Sequence, residues 1–398
     1  MLYQINCIIL NLLNKTGGRN MVQFKNSKKR EITPFRYDVV GSYLRPKELK
    51  EARAKFSNGI ISSDDLEKIE DIEITRLIEK QKEAGLKAIT DGEFRRSWWH
   101  LDFMWGLNGV KKVEIDKGYQ FKGVETRAET ARLSGKITGE NHPFVEHFKF
   151  IHQFAENGII ARQAIPAPAQ FLAELQRGEN QEITNKFYNN INDLVNDIAK
   201  AYETVIKDLY DAGCRSLQLD DCTWGMFCDK KYWEARQNAD VELKELAGLY
   251  VKVNNLSILK HPSDMIITTH VCRGNYNSTW ASSGGYEPIA EILFGTENVD
   301  GFYLEFDTDR AGDFSPLRFL GTKKQVVLGI VSSKIGELED KTVVINRIKE
   351  ATQYVDINNI CISPQCGFAS TEEGNILTEE QQWNKILLLK EIADEVWK

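Results

Sequence analysis

Short apolar and β-branched runs alternate with longer amphipathic stretches along most of this chain. Such alternation is typical of strand–helix units that build a parallel sheet. Eight strands are predicted, at residues 38–43, 87–93, 159–167, 216–221, 265–272, 301–306, 325–331 and 359–364. No glycine-rich nucleotide-binding turn follows any of them. The pattern therefore favours an α/β fold of the closed (β/α)8 type, the TIM barrel.

The stretches between these strands carry apolar residues at helical spacing. The clearest example is 64–84, for which Ser63 is the predicted cap and Gly85 the predicted end. Further helices are predicted at 180–212, 231–258, 341–353 and 378–396. One apolar face on each of them fits packing against the outside of a barrel.

One interval, residues 101–158, is too long for a simple connection between the second and third strands. It contains alternating polar and apolar segments and then a helical piece, which predicts an inserted layer of a hairpin and a helix. We expect residues 31–398 to form one barrel domain that includes this layer. Residues 1–30 are expected to form a flexible N-terminal arm, polar and basic beyond Met21.

Composition and charge narrow the classes of partner. The formal net charge of −7 argues against sequence-independent binding to nucleic acid, which needs a basic face. The apolar run near the N-terminus is too short to span a membrane. An odd number of cysteines, seven, without a secretion signal predicts reduced thiols and a cytoplasmic location. A small-molecule partner is therefore expected.

Polar side chains that could bind a ligand or take part in catalysis lie where the predicted strands end. Active sites of barrels form at the carboxyl ends of the strands and in the loops that follow. We therefore expect these side chains to meet around one site. They are Asp91 and Glu93, Asp220 and Asp221, His270 and Cys272, Glu305, and Cys366.

Four of these residues make a ligand set for a metal. His270 and Cys272 lie on one face of their strand because alternate residues point the same way. Such a pair alone is more often ordinary packing, but Glu305 at the next strand end and Cys366 after the last strand complete a set suited to Zn²⁺. Four protein ligands usually mark a structural zinc site, yet here they come from separate strands, which favours a catalytic one. Two thiolates and a carboxylate suit activation of a thiol for alkyl transfer better than activation of water.

The motifs that surround these residues resemble those of the cobalamin-independent methionine synthase family, in particular its short single-barrel members. The matching segments are DVVGSYLRP, ITDGEF, LQLDD, THVC, FYLEFD and SPQCGF, in family order over about residues 35–398. The resemblance implies a zinc-dependent methyltransferase with zinc on His270, Cys272, Glu305 and Cys366 and homocysteine as the thiol substrate. It further implies that Val40, Gly41 and Ser42 meet the carboxylate of the amino acid, while Glu93 and Asp220 hold its ammonium group.

Two departures from the family pattern leave the methyl donor open. Ser332 and Ser333 stand where the long family members carry a proton-relay aspartate and histidine, and the segment IPAPAQF lacks the tryptophan on which a folate ring would stack. The donor is expected to be methyltetrahydrofolate, a methylated corrinoid or another methylated small molecule. Alternative hypotheses are zinc-dependent alkyl transfer to a different thiol, and a non-catalytic protein that binds zinc and thiols.

Overall fold

The computed structural model describes residues 24, 26–156, 158–234 and 239–398. Its β-strands are β1 (Ala88–Ile89), β2 (Asn108–Glu114), β3 (Gln120–Phe121), β4 (Val124–Glu125), β5 (Glu129–Thr138), β6 (Ile160–Ala161), β7 (Gln163–Pro166), β8 (Ser216–Asp221), β9 (Ile266–Val271), β10 (Gly301–Glu305), β11 (Gln325–Val331) and β12 (Ile360–Pro364).

Two α-helices precede the first strand, and the others lie between and after the strands. They are α1 (Lys47–Ser57), α2 (Ser63–Glu83), α3 (Leu101–Gly106), α4 (Phe144–His152), α5 (Pro168–Leu175), α6 (Glu179–Phe187), α7 (Ile191–Asp211), α8 (Thr223–Cys228), α9 (Lys230–Glu234), α10 (Ala239–Ile258), α11 (Ala290–Thr296), α12 (Lys341–Ala351) and α13 (Glu379–Val396). None of the helices in the described ranges is both long and apolar enough to cross a membrane.

A parallel sheet of six strands, in the order β12-β11-β10-β9-β8-β7, dominates the fold. A second parallel pair joins β1 to β6, and β6 directly precedes β7. Isolated bridges pair Tyr37 with Ile362 and Ser42 with Gly92. These pairings establish an α/β fold with a parallel sheet, while the fully closed eight-stranded barrel stays a prediction.

The predicted first strand, residues 38–43, is wrong. Among the described residues this segment forms only isolated bridges, at Tyr37 beside it and at Ser42 within it, and side chains donate hydrogen bonds to three of its carbonyl groups. Arg162 donates to the Val39 carbonyl at 2.8 Å. Gln218 Nε2 and Thr90 Oγ1 each donate at 2.7 Å, to the carbonyls of residues 40 and 41 respectively.

The predicted helices are present with adjusted limits. The cap of α2 is Ser62 and not Ser63: its hydroxyl accepts from the Asp65 amide at 3.1 Å in a capping box. The predicted helix 180–212 is two helices, because Asn190 breaks it and caps α7. The predicted helix 231–258 appears as α9 and α10, and residues 235–238 between them lie outside the described ranges.

The interval 101–158 contains the expected antiparallel hairpin. Strands β2 and β5 pair over most of their length, and helices α3 and α4 flank them. A smaller hairpin, β3–β4, projects from the same layer, and the Lys122 amide at its tip donates to the Trp280 carbonyl at 3.0 Å. The layer therefore contacts the loop that follows β9. Most of the predicted arm 1–30 lies outside the described residues.

Candidate metal centre and substrate pocket

The carboxyl ends of two strands of the main sheet, β9 and β12, bring together three side chains that could hold a metal ion. His270 lies near the end of β9 and Cys272 directly follows that strand, while Cys366 comes two residues after β12. All three are buried, and their ligand atoms lie within 4.8 Å of one another. The sequence therefore correctly anticipated that these residues, 94 and 96 positions apart along the chain, would meet.

The spacing of the three donor atoms fits a tetrahedral zinc ion. In such a site the usual bond lengths, about 2.3 Å for sulfur and about 2.0 Å for nitrogen, place two sulfurs about 3.8 Å apart and a sulfur and a nitrogen about 3.5 Å apart. Here the two sulfurs are 3.5 Å apart, and His270 Nε2 is 3.4 Å from Cys366 Sγ. These two distances are within tenths of an ångström of those in a tetrahedral site, and all three donor atoms lie within 4.8 Å of one another.

Backbone groups orient these donors. The Nδ1 of His270 lies 3.3 Å from the carbonyl of Tyr303 on β10. A carbonyl accepts and never donates, so this contact places the ring proton on Nδ1 and leaves the Nε2 lone pair facing the sulfurs. The Gly274 amide donates to Cys272 Sγ at 3.2 Å, which stabilises a thiolate at that position.

The two thiols are arranged so that they favour a bound cation. Hydrogen bonding with Cys272, followed by burial, raises the pKa of Cys366 well above its ordinary value. Two buried thiols in contact cannot both ionise without a positive charge beside them. A divalent ion supplies that charge, and thiolates are the form in which cysteine binds metals.

The predicted fourth ligand, Glu305, is not among the clustered donors. Its Oε1 accepts from the Arg273 amide at 2.6 Å, and its Oε2 accepts from Arg310 at 2.9 Å and from Gln365 at 3.2 Å. Burial opposes its ionisation, but the charges of Lys334, Arg310 and Arg273 hold the pKa of Glu305 below its ordinary value. The carboxylate is therefore ionised and already paired with a cation.

Glu93 presents an under-partnered carboxyl group beside this centre. Its Oε1 lies 3.5 Å from Arg96, whereas its buried Oε2 accepts no hydrogen bond from the described residues. Burial raises the pKa of Glu93 to about 8, and the charge of Asp220 adds to the shift although Arg96 and Arg45 oppose it. Its backbone φ of 61° is unusual for a residue with a side chain. Such strain and such a pKa are typical of functional positions.

Asp220 lies opposite His270 in the register of β8 and β9. Burial raises the pKa of Asp220 to about 7. Gln218 Nε2 donates both to Asp220 Oδ1 at 2.8 Å and to the Val40 carbonyl at 2.7 Å, and so ties this carboxylate to the segment 40–42. A substrate ammonium group would therefore meet two carboxyls that are short of positive partners.

The segment 40–42 packs tightly against the loop after β12. A Cβ atom at Gly367 would lie 1.8 Å from Ser42 Oγ, so that only glycine fits there. Gly41 adopts a φ of 129°, which favours glycine, and a Cβ there would contact Thr90 at 3.3 Å. Val40 and Ser42 line the same cavity as the three candidate metal donors.

One cavity of about 630 Å³ joins these parts. Its wall includes the three metal donors together with Glu93, Asp220, Val40 and Ser42, as the sequence predicted for a shared site. The inserted layer contributes Tyr119 and Phe121, and Trp99 and His100 lie near them in the same wall. The cavity is therefore polar at the sheet and aromatic towards the insertion.

Sequence reasoning missed Cys222, which lies directly after the Asp220-Asp221 pair and lines this cavity. The signal was available, since a thiol followed a strand end like the other candidates. Ser332 and Ser333, at the departure from the family pattern, are buried, and the neighbouring Lys334 donates to Asn275 at 2.8 Å. Long-range partners such as Arg310 and Gln365 had no sequence signal.

Comparisons with known proteins agree with this fold. Residues 175–381 match the family described as "Cobalamin-independent synthase, Catalytic domain". The chain is 44% identical over 380 residues to the "uncharacterized protein YxjH" of Bacillus subtilis, covering 95% of this chain and 99% of that one. It is 25% identical to the methionine synthase of Saccharolobus solfataricus over 346 residues, or 83% of this chain and 86% of the other.

Solved structures lead to the same family. A crystal structure from Listeria monocytogenes, whose proposed identity is a vitamin-B12 independent methionine synthase, is 38% identical. It superposes with a TM-score of 0.72 over 93% of this chain and 100% of its own. A B12-independent methionine synthase from Shewanella, solved with selenomethionine, shares the fold at 17% identity and a TM-score of 0.67, over 90% and 96% of the two chains. The chain belongs to the family of the cobalamin-independent synthase catalytic domain, and the resemblance of its motifs to that family is confirmed.

Proposed function

We propose that this protein transfers a methyl group to the thiol of homocysteine and so forms methionine, with Zn²⁺ held by His270, Cys272 and Cys366. The observation that carries the proposal is the shared cavity, in which three clustered metal donors face two buried carboxyls short of positive partners. An amino acid with a thiol side chain matches both halves of such a cavity. The family membership and the methionine synthases among the relatives support the same substrate.

The chain's own residues would bind and orient the amino acid. Glu93 and Asp220 hold the ammonium group, since burial raises the pKa of both carboxyls and one oxygen of Glu93 accepts no hydrogen bond from the described residues. The backbone of Val40, Gly41 and Ser42 meets the carboxylate, as the resemblance implies. Zinc bound at the centre lowers the pKa of a thiol, so that thiolate is available at neutral pH. Fixing both ends of the substrate aims its sulfur at a methyl group in the remainder of the cavity.

The size and lining of the cavity leave room for a donor. Homocysteine has nine heavy atoms or fewer, and at about 20 Å³ each these fill well under half of 630 Å³. The free part borders the aromatic side chains of the inserted layer, including Tyr119 and Phe121. Methyltetrahydrofolate, a methylated corrinoid and other methylated small molecules remain the donors to be tested.

A methyl-transfer assay tests this function directly. Zinc-loaded protein is incubated with homocysteine and each donor in turn, and methionine is measured. We expect methionine with at least one donor, and its loss in Cys366→Ser. Tight homocysteine binding without turnover on any donor would favour the non-catalytic hypothesis. Equal turnover of a thiol that lacks an amino group, unaffected by Glu93→Gln, would favour transfer to another thiol.

A further inference from the structure

Asn275 links the two loops that carry the cysteines of the candidate metal centre. It lies three residues after Cys272, in the loop that follows β9, and its side-chain amide donates to the Gly367 carbonyl at 2.6 Å. Gly367 directly follows Cys366 in the loop after β12. The hydrogen bond therefore joins two segments that are 92 positions apart along the chain, each close in sequence to a candidate donor.

All four hydrogen-bonding positions of the Asn275 amide are occupied. Its Oδ1 accepts from Lys334 Nζ at 2.8 Å and from Asn375 Nδ2 at 2.9 Å. Besides the bond to Gly367, its Nδ2 donates to Ser370 Oγ at 3.3 Å. A primary amide offers two donor hydrogens and two acceptor lone pairs, so this side chain has no position left. It is also buried, and it cannot rotate without losing several of these bonds.

The two groups that donate to Asn275 come from further loops. Lys334 lies in the loop after β11 and is buried, and its Nζ also donates to the Gly274 carbonyl at 3.4 Å. Asn375 is likewise buried and donates to the Ser333 carbonyl at 2.8 Å. Lys334 directly follows the two serines that depart from the family pattern. In this chain, that segment therefore supports the loop after β9.

We propose that Asn275 is a positioning residue for the metal centre, which holds the loops of Cys272 and Cys366 together before a metal binds. This inference rests on the metal site of the proposed function. The two sulfurs lie 3.5 Å apart, and a short, directional bond between their loops limits how far the thiols separate. Thiols that are already close lose less conformational entropy when they bind a metal.

Asn180 provides a matched control. It is also buried, its Oδ1 accepts from a cation, Arg132 Nε at 3.0 Å, and its Nδ2 donates to Thr130 Oγ1 at 2.7 Å and to two backbone carbonyls. It is not among the described residues that line the cavity. Asn180→Ala therefore removes a similarly bonded amide from another part of the fold.

Chelator competition measures zinc affinity in the wild-type protein, Asn275→Ala, Asn275→Asp and Asn180→Ala, without substrate and under reducing conditions. Denaturant titration of each metal-free protein gives its stability. Asn275→Asp retains oxygens that accept from Lys334 and Asn375 but cannot donate to Gly367. Its added negative charge favours a bound cation. Weaker zinc binding in this variant would therefore come from the lost link and not from the charge.

We expect zinc affinity to fall about 10- to 100-fold in Asn275→Ala and about tenfold in Asn275→Asp, and to stay unchanged in Asn180→Ala, although both alanine variants lose stability. Should Asn275→Ala fail to fold, Asn275→Asp decides. Zinc affinity in Asn275→Asp like that of the wild type would refute this inference alone. An equal loss of affinity in Asn180→Ala would also refute it, because general destabilisation would then explain the effect. A wild-type protein that binds no zinc would overturn the proposed function as well.

Discussion

Two buried polar regions of this protein differ in how completely their atoms are paired. In the first, which we call the interior ion pair, Asp38 accepts four hydrogen bonds, from the Phe35 and Val39 amides, Arg162 and the Tyr303 hydroxyl. In the second, the substrate pocket, Glu93 keeps an unpartnered oxygen and the metal donors face one another. The comparison teaches that burial alone does not mark function. A buried carboxyl whose oxygens are both paired supports the fold, whereas an unpartnered carboxyl oxygen on a residue that also lines a cavity is a candidate for binding a ligand.

The largest expected effect comes from breaking the interior ion pair. Asp38→Asn leaves the Arg162 guanidinium buried without a counter-charge, and we expect the free energy of unfolding to fall by about 3–5 kcal/mol. Denaturant titration measures it. Tyr303→Phe removes one hydrogen bond of the same network and should cost only about 1 kcal/mol. Equal losses in the two variants would contradict a structural role for the charge.

Removing a metal donor should weaken zinc binding strongly and change the stability of the protein little. Cys366→Ser is expected to weaken zinc binding by about 100-fold or more, yet to change the stability of the metal-free protein by less than about 1 kcal/mol. Competition with a chelator gives the affinity. Cys361→Ser is the matched control, because Cys361 is buried on β12, the strand that precedes Cys366, but donates towards the Pro34 carbonyl, at 3.5 Å. A comparable loss of zinc in both variants would argue against the proposed centre.

Glu93→Gln should weaken methionine binding and at the same time raise the stability of the protein. We expect methionine affinity to fall about tenfold, because the ammonium group loses a charged partner. Stability at pH 8 should rise, on the order of 1 kcal/mol, because a raised pKa in the folded protein is a cost that grows from about pH 4.5 to about pH 8. Calorimetric titration and thermal unfolding measure the two quantities.

Glu297→Gln is the control for that experiment. Burial also raises the pKa of Glu297 to about 8, and this residue does not line the cavity. The substitution should stabilise the protein in the same pH range and leave methionine affinity unchanged. Weaker methionine binding in Glu297→Gln as well would mean that buried carboxyls act through the fold and not through contact.

The smallest expected effect is the pH dependence of methionine binding. Methionine has no thiol proton, so its affinity reports the carboxyls. Below about pH 8 the proton on Glu93 must leave before the ammonium group binds, and this contribution alone should lower the affinity about fivefold from pH 8 to pH 7. Glu93→Gln should reduce the slope and leave a remainder from Asp220, whose pKa is about 7. An unchanged slope would remove Glu93 from the binding site.

The strands of the main sheet could be predicted because buried parallel strands are continuous apolar runs, as in β10 and β11. Prediction failed at residues 38–43, where Arg162 and Gln218 take the carbonyl groups of an apolar segment. No local sequence pattern predicts hydrogen bonds between residues more than 120 positions apart. The end of the first helix before α7 could have been predicted, since Asn190 is a typical N-cap residue and lies inside the predicted helix 180–212.

The candidate site was predicted to a similar degree. Strand ends correctly located His270, Cys272 and Cys366, because position in a strand determines which end of the sheet a side chain reaches. The partners of Glu305 could not be predicted, since Arg310 and Gln365 approach from separate loops. The roles predicted for Glu305 and for the segment 40–42 stay predictions.

The five residues 270–274 have a consequence for protein design. Within this short segment two side chains supply candidate metal donors, the Gly274 amide donates to Cys272 Sγ, and the Arg273 amide donates to Glu305. Gly274 adopts a φ of 87°, which suits glycine. A designer who grafted only the histidine and cysteines onto another scaffold would copy the donors and lose both amides. The transferable unit is the turn itself, main chain included.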